Sequence, residues 1–411
     1  MTTTGSQPTY IAIALVVLQH VFSVVGYSQK MPTAFYRAEA ALEQNDIQNA
    51  LRWADSCFTA KPIRYQFYLI KGQALLKASR YEEAIENFLQ AERHRPGIAS
   101  YQLARTYCII GDSADCTEWT RKNLQSAFRE PESKYQLNSD FKFAQSLKEW
   151  HNLWQIEWYS PIESDIHYAR YLIDNQSYDE AIELLSRRIK GKKSKAELFE
   201  LRGRSHLKSG NFSLALKDFE SAYYRSKKNY NYLALQAKAY RGLNQNGKAL
   251  TQIEQAIDKS GGKPDYLIEK AKILGQLNRW SEAYETLKQY LEYYPSNTDA
   301  NLLLARYAYE SGYYTDALLA IAKMLKFTPE NPDLLLLRGK IYLKIDQPRQ
   351  AIIDFEKAIS QNYNIAESYL LKGLALLKEG EREEACKCFS ISGSLGNIDA
   401  QSLLYNTCNR K

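Results

Sequence analysis

The sequence predicts an all-α chain built as an α-solenoid, with about ten helical hairpins stacked in two arrays. Two registers and one set of breaks carry that expectation. Alanine recurs at Ala181, Ala215, Ala249, Ala283, Ala317, Ala351 and Ala385, in steps of 34 residues. Twelve residues before each alanine stands another small residue: Ala169, Gly203, Ala237, Ala271, Ala305, Gly339 and Gly373. Turn-forming runs separate the units at Gly210-Asn211, Gly261-Gly262, Pro295-Ser296-Asn297 and Pro329-Glu330-Asn331-Pro332.

Each register has a physical reason. Four residues after each alanine the series reads Leu185, Phe219, Ile253, Leu287, Ile321, Phe355 and Phe389. Larger packing residues such as Leu172, Tyr240, Leu274, Tyr342 and Leu376 follow the small residues by three. Apolar residues at these offsets put one buried stripe on each of two helices per unit. Small residues where the helices cross let their axes approach to roughly 8–10 Å. One such hairpin cannot bury its apolar face, so neighbours must stack.

An aromatic residue opens the second helix of several units (Tyr178, Phe212, Trp280, Tyr314), and proline marks unit boundaries. With the 34-residue register, this pattern resembles the tetratricopeptide repeat over residues 162 to about 395. Tyr65 to Pro96 fits too, with Gly72, Tyr81, Ala84, Phe88 and Ala91, and a weaker unit spans Met31 to Pro62 with Ala38, Ala50 and Cys57. Asn246, Pro348 and Arg382 replace the turn aromatic, so those turns are expected to be looser.

Between the arrays the phase breaks, because Ala84 to Ala181 is 97 residues, five short of three repeats. Residues 99–127 read as a degenerate hairpin with Leu103, Ala104 and Tyr107 on its first helix, completing an N-terminal array over 29–127. Residues 128–161 do not fit the repeat and hold Trp150, Trp154 and Trp158. The phrase Leu137-Asn-Ser-Asp-Phe-Lys-Phe, followed by Glu149-Trp150-His-Asn-Leu-Trp154, resembles a segment closing short arrays in exported bacterial repeat proteins. It reads as a cap and joint. The C-terminal array then covers 162–395, and 396–411 is similar to the terminal capping helix of the same proteins.

The first 28 residues carry no charge, and Tyr10 to Tyr27 is apolar apart from Gln19 and His20. That length suits the core of a secretory signal, with cleavage between Ser28 and Gln29 and a periplasmic destination. The first positive charge, Lys30, lies after the apolar stretch, which fits an uncleaved anchor with cytoplasmic repeats as the alternative. Six cysteines (Cys57, Cys108, Cys116, Cys386, Cys388, Cys408) fall beyond this segment. An exported chain permits disulfides, and Cys386 with Cys408, on consecutive expected helices, can form a clasp. The others read as small buried packing residues.

The residues point to holding, not to chemistry: a scaffold in an envelope assembly or secretion complex is expected, with a membrane-anchored cytoplasmic-side adaptor or an auxiliary subunit of an enzyme complex as the alternatives. Cys386-x-Cys388 has the wrong spacing for zinc, and the five histidines form no metal motif. His206 stands where other units place Leu or Tyr and is expected in the core. No phosphate loop follows Gly203–Gly210 or Gly261-Gly262, and no nucleophile–base pairing can be drawn. Neither catalysis nor a cofactor is expected. A net charge of +7 over this length falls short of a nucleic-acid footprint and mildly favours acidic partners.

The resemblance implies that the first helices line a concave groove for a protein or peptide. One residue after each small residue, the long array carries Arg170, Arg204, Lys238, Lys272, Arg306 and Lys340. Seven residues earlier come Glu163, Glu197, Asn231, Asp265, Asp299, Asp333 and Glu367. The groove thus has a basic and an acidic rail, roughly 10 Å apart along one helix. Either the rails neutralise one another or the basic one binds an acidic or carboxylate-bearing partner. Local pairs are available for Arg170 with Asp174, Glu200 with Arg204, Glu269 with Lys272 and Arg306 with Glu310. Lys238 and Lys340 have no acidic residue at helical spacing and are the expected free contacts.

Overall fold

A computed structural model describes residues 31–189 and 194–408. The apolar segment 10–27, its expected cleavage at Ser28 and the last three polar residues lie outside this range. The described residues hold 23 α-helices packed in sequential pairs, as expected of a solenoid.

The first three hairpins are α1 Thr33–Glu43 with α2 Ile47–Cys57, α3 Tyr65–Lys77 with α4 Tyr81–His94, and α5 Ser100–Ile109 with α6 Ser113–Gln125. Two short helices follow, α7 Glu132–Gln136 and α8 Lys148–Leu153. Seven further hairpins run in register: α9 Pro161–Asp174 with α10 Tyr178–Arg188, α11 Ala196–Lys208 with α12 Phe212–Arg225, α13 Asn231–Gly242 with α14 Asn246–Ser260, and α15 Asp265–Gln276 with α16 Trp280–Leu291. The last three are α17 Thr298–Glu310 with α18 Tyr314–Leu325, α19 Pro332–Lys344 with α20 Pro348–Ser360, and α21 Ile365–Glu379 with α22 Arg382–Ser394. Helix α23, Ile398–Leu403, ends the stack.

One contact repeats through the stack. In eight of the ten hairpins the small residue of the first helix meets a large residue sixteen positions later on the second helix, and their sizes compensate; the first and third hairpins instead have Ala38 with Ala54 and Ala104 with Thr120. Where the first helix has glycine, its partner is phenylalanine: Gly72 with Phe88, Gly203 with Phe219, Gly339 with Phe355, Gly373 with Phe389. Where it has Ala169, Ala237, Ala271 or Ala305, the partner is Leu185, Ile253, Leu287 or Ile321, all fully buried. A Cβ placed on Gly339 would lie 2.5 Å from the Phe355 ring. Close-packed interiors leave no slack for that overlap.

The turns within hairpins share a second constraint. Gln176, Gly210, Asn244, Asn278, Gly312, Asp346 and Gly380 all have left-handed φ, between 56° and 86°, again in steps of 34. After each comes one backbone bond back into the first helix, such as Gln245 N to Tyr240 O at 2.9 Å and Gln347 N to Tyr342 O at 2.8 Å. The same bond forms after Gly210, from Asn211 N to His206 O at 2.8 Å. Units lacking the turn aromatic therefore close as tightly as the rest, contrary to the expectation for Asn246, Pro348 and Arg382. The left-handed residue and its return bond set the turn, and the aromatic is additional packing.

Residues 128–161 fold against the third hairpin. Tyr135, Phe141, Trp150 and Leu153 are buried with Ala104, Cys108, Cys116 and Leu124. Phe141 stacks on Trp150 with ring centroids 5.5 Å apart, and Arg105 pairs with Asp140 at 2.6 Å. Two disulfides are present, Cys386–Cys408 and Cys108–Cys116; Cys57 and Cys388 are free and buried. The first ties the terminal segment to α22, as the sequence allowed. The second crosses the α5–α6 turn, where packing residues were expected.

An unforeseen contact joins the start of the repeat series to the middle of the long array. Helix α1 lies against the long array, with Ala40 buried among Ala271, Leu287, Tyr290, Tyr294 and Ala300. Gln44 donates to Tyr293 O at 3.2 Å and accepts from Ser296 N at 3.4 Å. Arg37 reaches Glu292 at 3.7 Å.

The size compensation predicts a change of sign. Gly339→Ala alone should destabilise by ~1–3 kcal/mol through overlap with Phe355, outweighing the ~1 kcal/mol gain in helix propensity. In a Phe355→Leu background the same Gly339→Ala should be neutral or stabilising. Urea unfolding of the four proteins in this double-mutant cycle measures it.

Candidate functional site

Helices α9, α11, α13, α15, α17 and α19 carry the six residues of the basic rail, and α21 adds Glu367 to the acidic one. Each rail residue follows the buried small residue of its helix by one position, so it projects beside the hairpin crossing. Clefts open between successive first helices. One is lined by Arg170 and Asp174 from α9 and by Glu197, Glu200 and Arg204 from α11. Another, of about 450 Å³, is lined by Arg306, Tyr307 and Tyr309 from α17, Asp333 and Lys340 from α19, and Glu367 from α21.

The charges follow a rule that spacing within one helix did not reveal. Twenty-seven residues after a basic rail residue comes the acidic rail residue of the next first helix. Side-by-side stacking brings those two together. Arg170 pairs with Glu197, Arg306 with Asp333 at 2.9 Å, and Lys340 with Glu367 at 2.7 Å. Lys340 is therefore not free, which corrects the expectation. Arg170 and Arg306 also choose the neighbouring unit over Asp174 and Glu310. Glu269 pairs with Arg241 at 2.6 Å instead of Lys272.

The exceptions to this rule define the middle of the groove. Arg204 faces neutral Asn231 in the next unit and pairs within its own helix, with Glu200 at 2.8 Å. Lys238 would face Asp265, but both oxygens of that carboxylate are engaged. Lys263 takes one at 2.8 Å, and Tyr294 donates to the other at 2.8 Å. Lys272 makes no ion pair with Asp299. Among the described residues, Lys238 and Lys272 are the two rail cations without an ion pair.

Lys238 is exposed, yet it lies inside the wall of first helices. The surrounding protein disfavours its charged form and lowers its pKa. Glu269 acts against that shift, whereas Arg204, Lys272 and Arg241 reinforce it. A carboxylate arriving here would meet two positive charges without an ion pair, Lys238 and Lys272.

A further basic position was missed in the sequence. The residue before the small one pairs with the second helix: Arg202 with Asp218 at 2.7 Å and Arg338 with Asp354 at 2.6 Å, both carboxylates buried. Lys71, Lys270 and Lys372 instead reach back to Asp55, Glu254 and Glu356 of the preceding unit. These pairs staple helices and do not face the clefts. The signal was available as an Arg–Asp recurrence at a spacing of sixteen. His206 is buried, 9% exposed, as expected for a packing position. Among the described residues no cluster of His, Cys, Asp or Glu is placed to hold a metal ion. Among them, too, no helix is long and apolar enough to cross a membrane.

Breaking a rail pair should cost little. Lys340 and Glu367 are partly exposed, so Glu367→Gln is expected to change unfolding free energy by only ~0–1 kcal/mol. It should also strengthen binding of an acidic peptide by releasing Lys340. Urea unfolding and peptide titration by calorimetry check both effects.

Comparison with known proteins adds a family. Profiles described as tetratricopeptide repeat match residues 168–231 and 268–332, and 65–96, 332–364 and 366–390, together over half of the chain. Among solved structures the chain is similar to a tetratricopeptide repeat protein from Parabacteroides merdae, at 22% identity over 60% of this chain and 98% of that one, with a TM-score of 0.45. It is similar to the C-terminal part of a TPR repeat-containing protein from Cytophaga hutchinsonii, at 17% identity over 58% and 98%, with a TM-score of 0.46. It is also similar to PilW, described as a widely conserved type IV pilus biogenesis factor, at 20% identity over 51% and 98%, with a TM-score of 0.45. No curated protein matches it.

Proposed function

Because the chain belongs to the tetratricopeptide repeat family, whose members generally scaffold protein–protein interactions, we propose that it holds an extended acidic protein segment in its groove. The observation that carries this reading is the pair of unneutralised cations, Lys238 and Lys272, between stretches where the rails neutralise each other. The partner's carboxylates seat at this centre, and the paired flanks contribute shape more than charge. The protein does this without catalysis or a cofactor.

We place the scaffold outside the cytoplasm, in an envelope assembly or secretion complex. The uncharged apolar segment Tyr10–Tyr27 and the two disulfides support this placement, since disulfides persist in oxidising compartments. A second reading has its own support: Lys30 follows the apolar stretch and no basic residue precedes it, as in a membrane-anchored adaptor. N-terminal sequencing of the protein from native cells separates them. A chain starting at Gln29 supports export, and one retaining Tyr10–Tyr27 supports the anchor.

The binding reading is tested by charge reversal. Lys238→Glu with Lys272→Glu should reduce binding of partners captured by native crosslinking at least tenfold, leaving the helical melt unchanged. Capture undiminished by this double reversal would sink the acidic-partner reading.

A further inference from the structure

The contact of α1 with the long array has features of a device and not merely of packing. It bridges three consecutive units. Tyr36 donates to Ser260 O at 3.5 Å, at the end of α14. Ala40 is buried against side chains of α15 and α16, and Gln44 binds Tyr293 and Ser296 in the turn before α17. A solenoid changes curvature by small rotations between units. A helix fastened across two inter-unit turns opposes those rotations.

Arg37 with Glu292 favours docking, but the carboxylates at this contact oppose it. Glu39 and Glu43 of α1 are brought to Asp265 at the start of α15, and Lys263 of the preceding turn is the one cation acting on them. That lysine is already paired with Asp265 at 2.8 Å. The other titratable groups around Glu39 are the phenols of Tyr36, Tyr266 and Tyr294. All three phenols are buried, so they supply no compensating charge. Three carboxylates thus face one ammonium.

We propose that α1 is a proton-stabilised latch that fastens the start of the repeat series to the middle of the long array and loosens as its carboxylates ionise. Burial is the main cause that pushes the Glu39 carboxyl up to about 7; Lys263 opposes the shift, while Asp265 and Glu43 add to it. The sign follows from linkage. A carboxyl whose pKa is raised in the docked state favours docking fully below its ordinary value near 4.5, and that contribution is lost as pH rises through 7. The long array is held at one curvature in acid and freed to adapt above neutrality. This regulation is independent of which partner the groove takes.

Pulsed dipolar spectroscopy on the full chain tests the latch, with spin labels on Gln48→Cys and Gln289→Cys, both exposed positions. The native free thiols, Cys57 and Cys388, are buried and spared by the label. One narrow distance is expected at pH 5.5, with a second, longer population appearing at pH 8.5. Glu39→Gln should hold the narrow distance at both pH values. The proposal is overturned if the unsubstituted Glu39 protein gives the same distribution at both pH values. Opening of the Glu39→Gln protein at pH 8.5 would overturn it equally.

Discussion

The structure depends on one contact, made in eight of the ten hairpins: the meeting of a small residue on the first helix with a large one sixteen positions later. The pair's combined size is held nearly constant, as glycine with phenylalanine or alanine with leucine or isoleucine. Constant volume keeps the helix separation uniform, and uniform hairpins stack in register. The left-handed turn residue, also every 34 positions, keeps the two helices of each hairpin in phase. Surface charges then fall into rails because every first helix presents the same position.

That regularity makes the departures informative. Lateral stacking lets each basic rail residue reach the acidic residue twenty-seven positions on, so neutralisation is the default. It fails at Arg204, whose counterpart is Asn231, and is recovered by Glu200. At Lys238 the counterpart exists but is diverted to Lys263 and Tyr294. The same Asp265 faces the docked α1 helix. The vacancy in the groove and the contact between the arrays therefore meet at one carboxylate.

The repeat and its hairpins were legible because their signals are local: a period, small residues at crossings and turn chemistry. The position of the rails was legible for the same reason. The partner of each charge was not. A search at three and four residues finds contacts along one helix, whereas Arg306–Asp333 and Lys340–Glu367 join neighbouring helices. Counting by the repeat period minus seven would have found them and would have withdrawn Lys340 as a free contact. The fold of 128–161 was visible only as a phase break with tryptophans. The docking of α1 was invisible, since Ala40 and Gln44 carry no signal of contacts some 250 residues away.

The groove keeps its unpaired positive charge at Lys238 and Lys272. Competitive acylation of the free protein near neutral pH, read by mass spectrometry at each lysine, tests it most directly. An amine reacts in its neutral form, and Lys238 has its pKa lowered and no carboxylate holding it. Lys340 is held by Glu367 at 2.7 Å. Faster modification is expected at Lys238 and Lys272 than at Lys340, with Lys238 the fastest. Equal or faster reaction at Lys340 would contradict it.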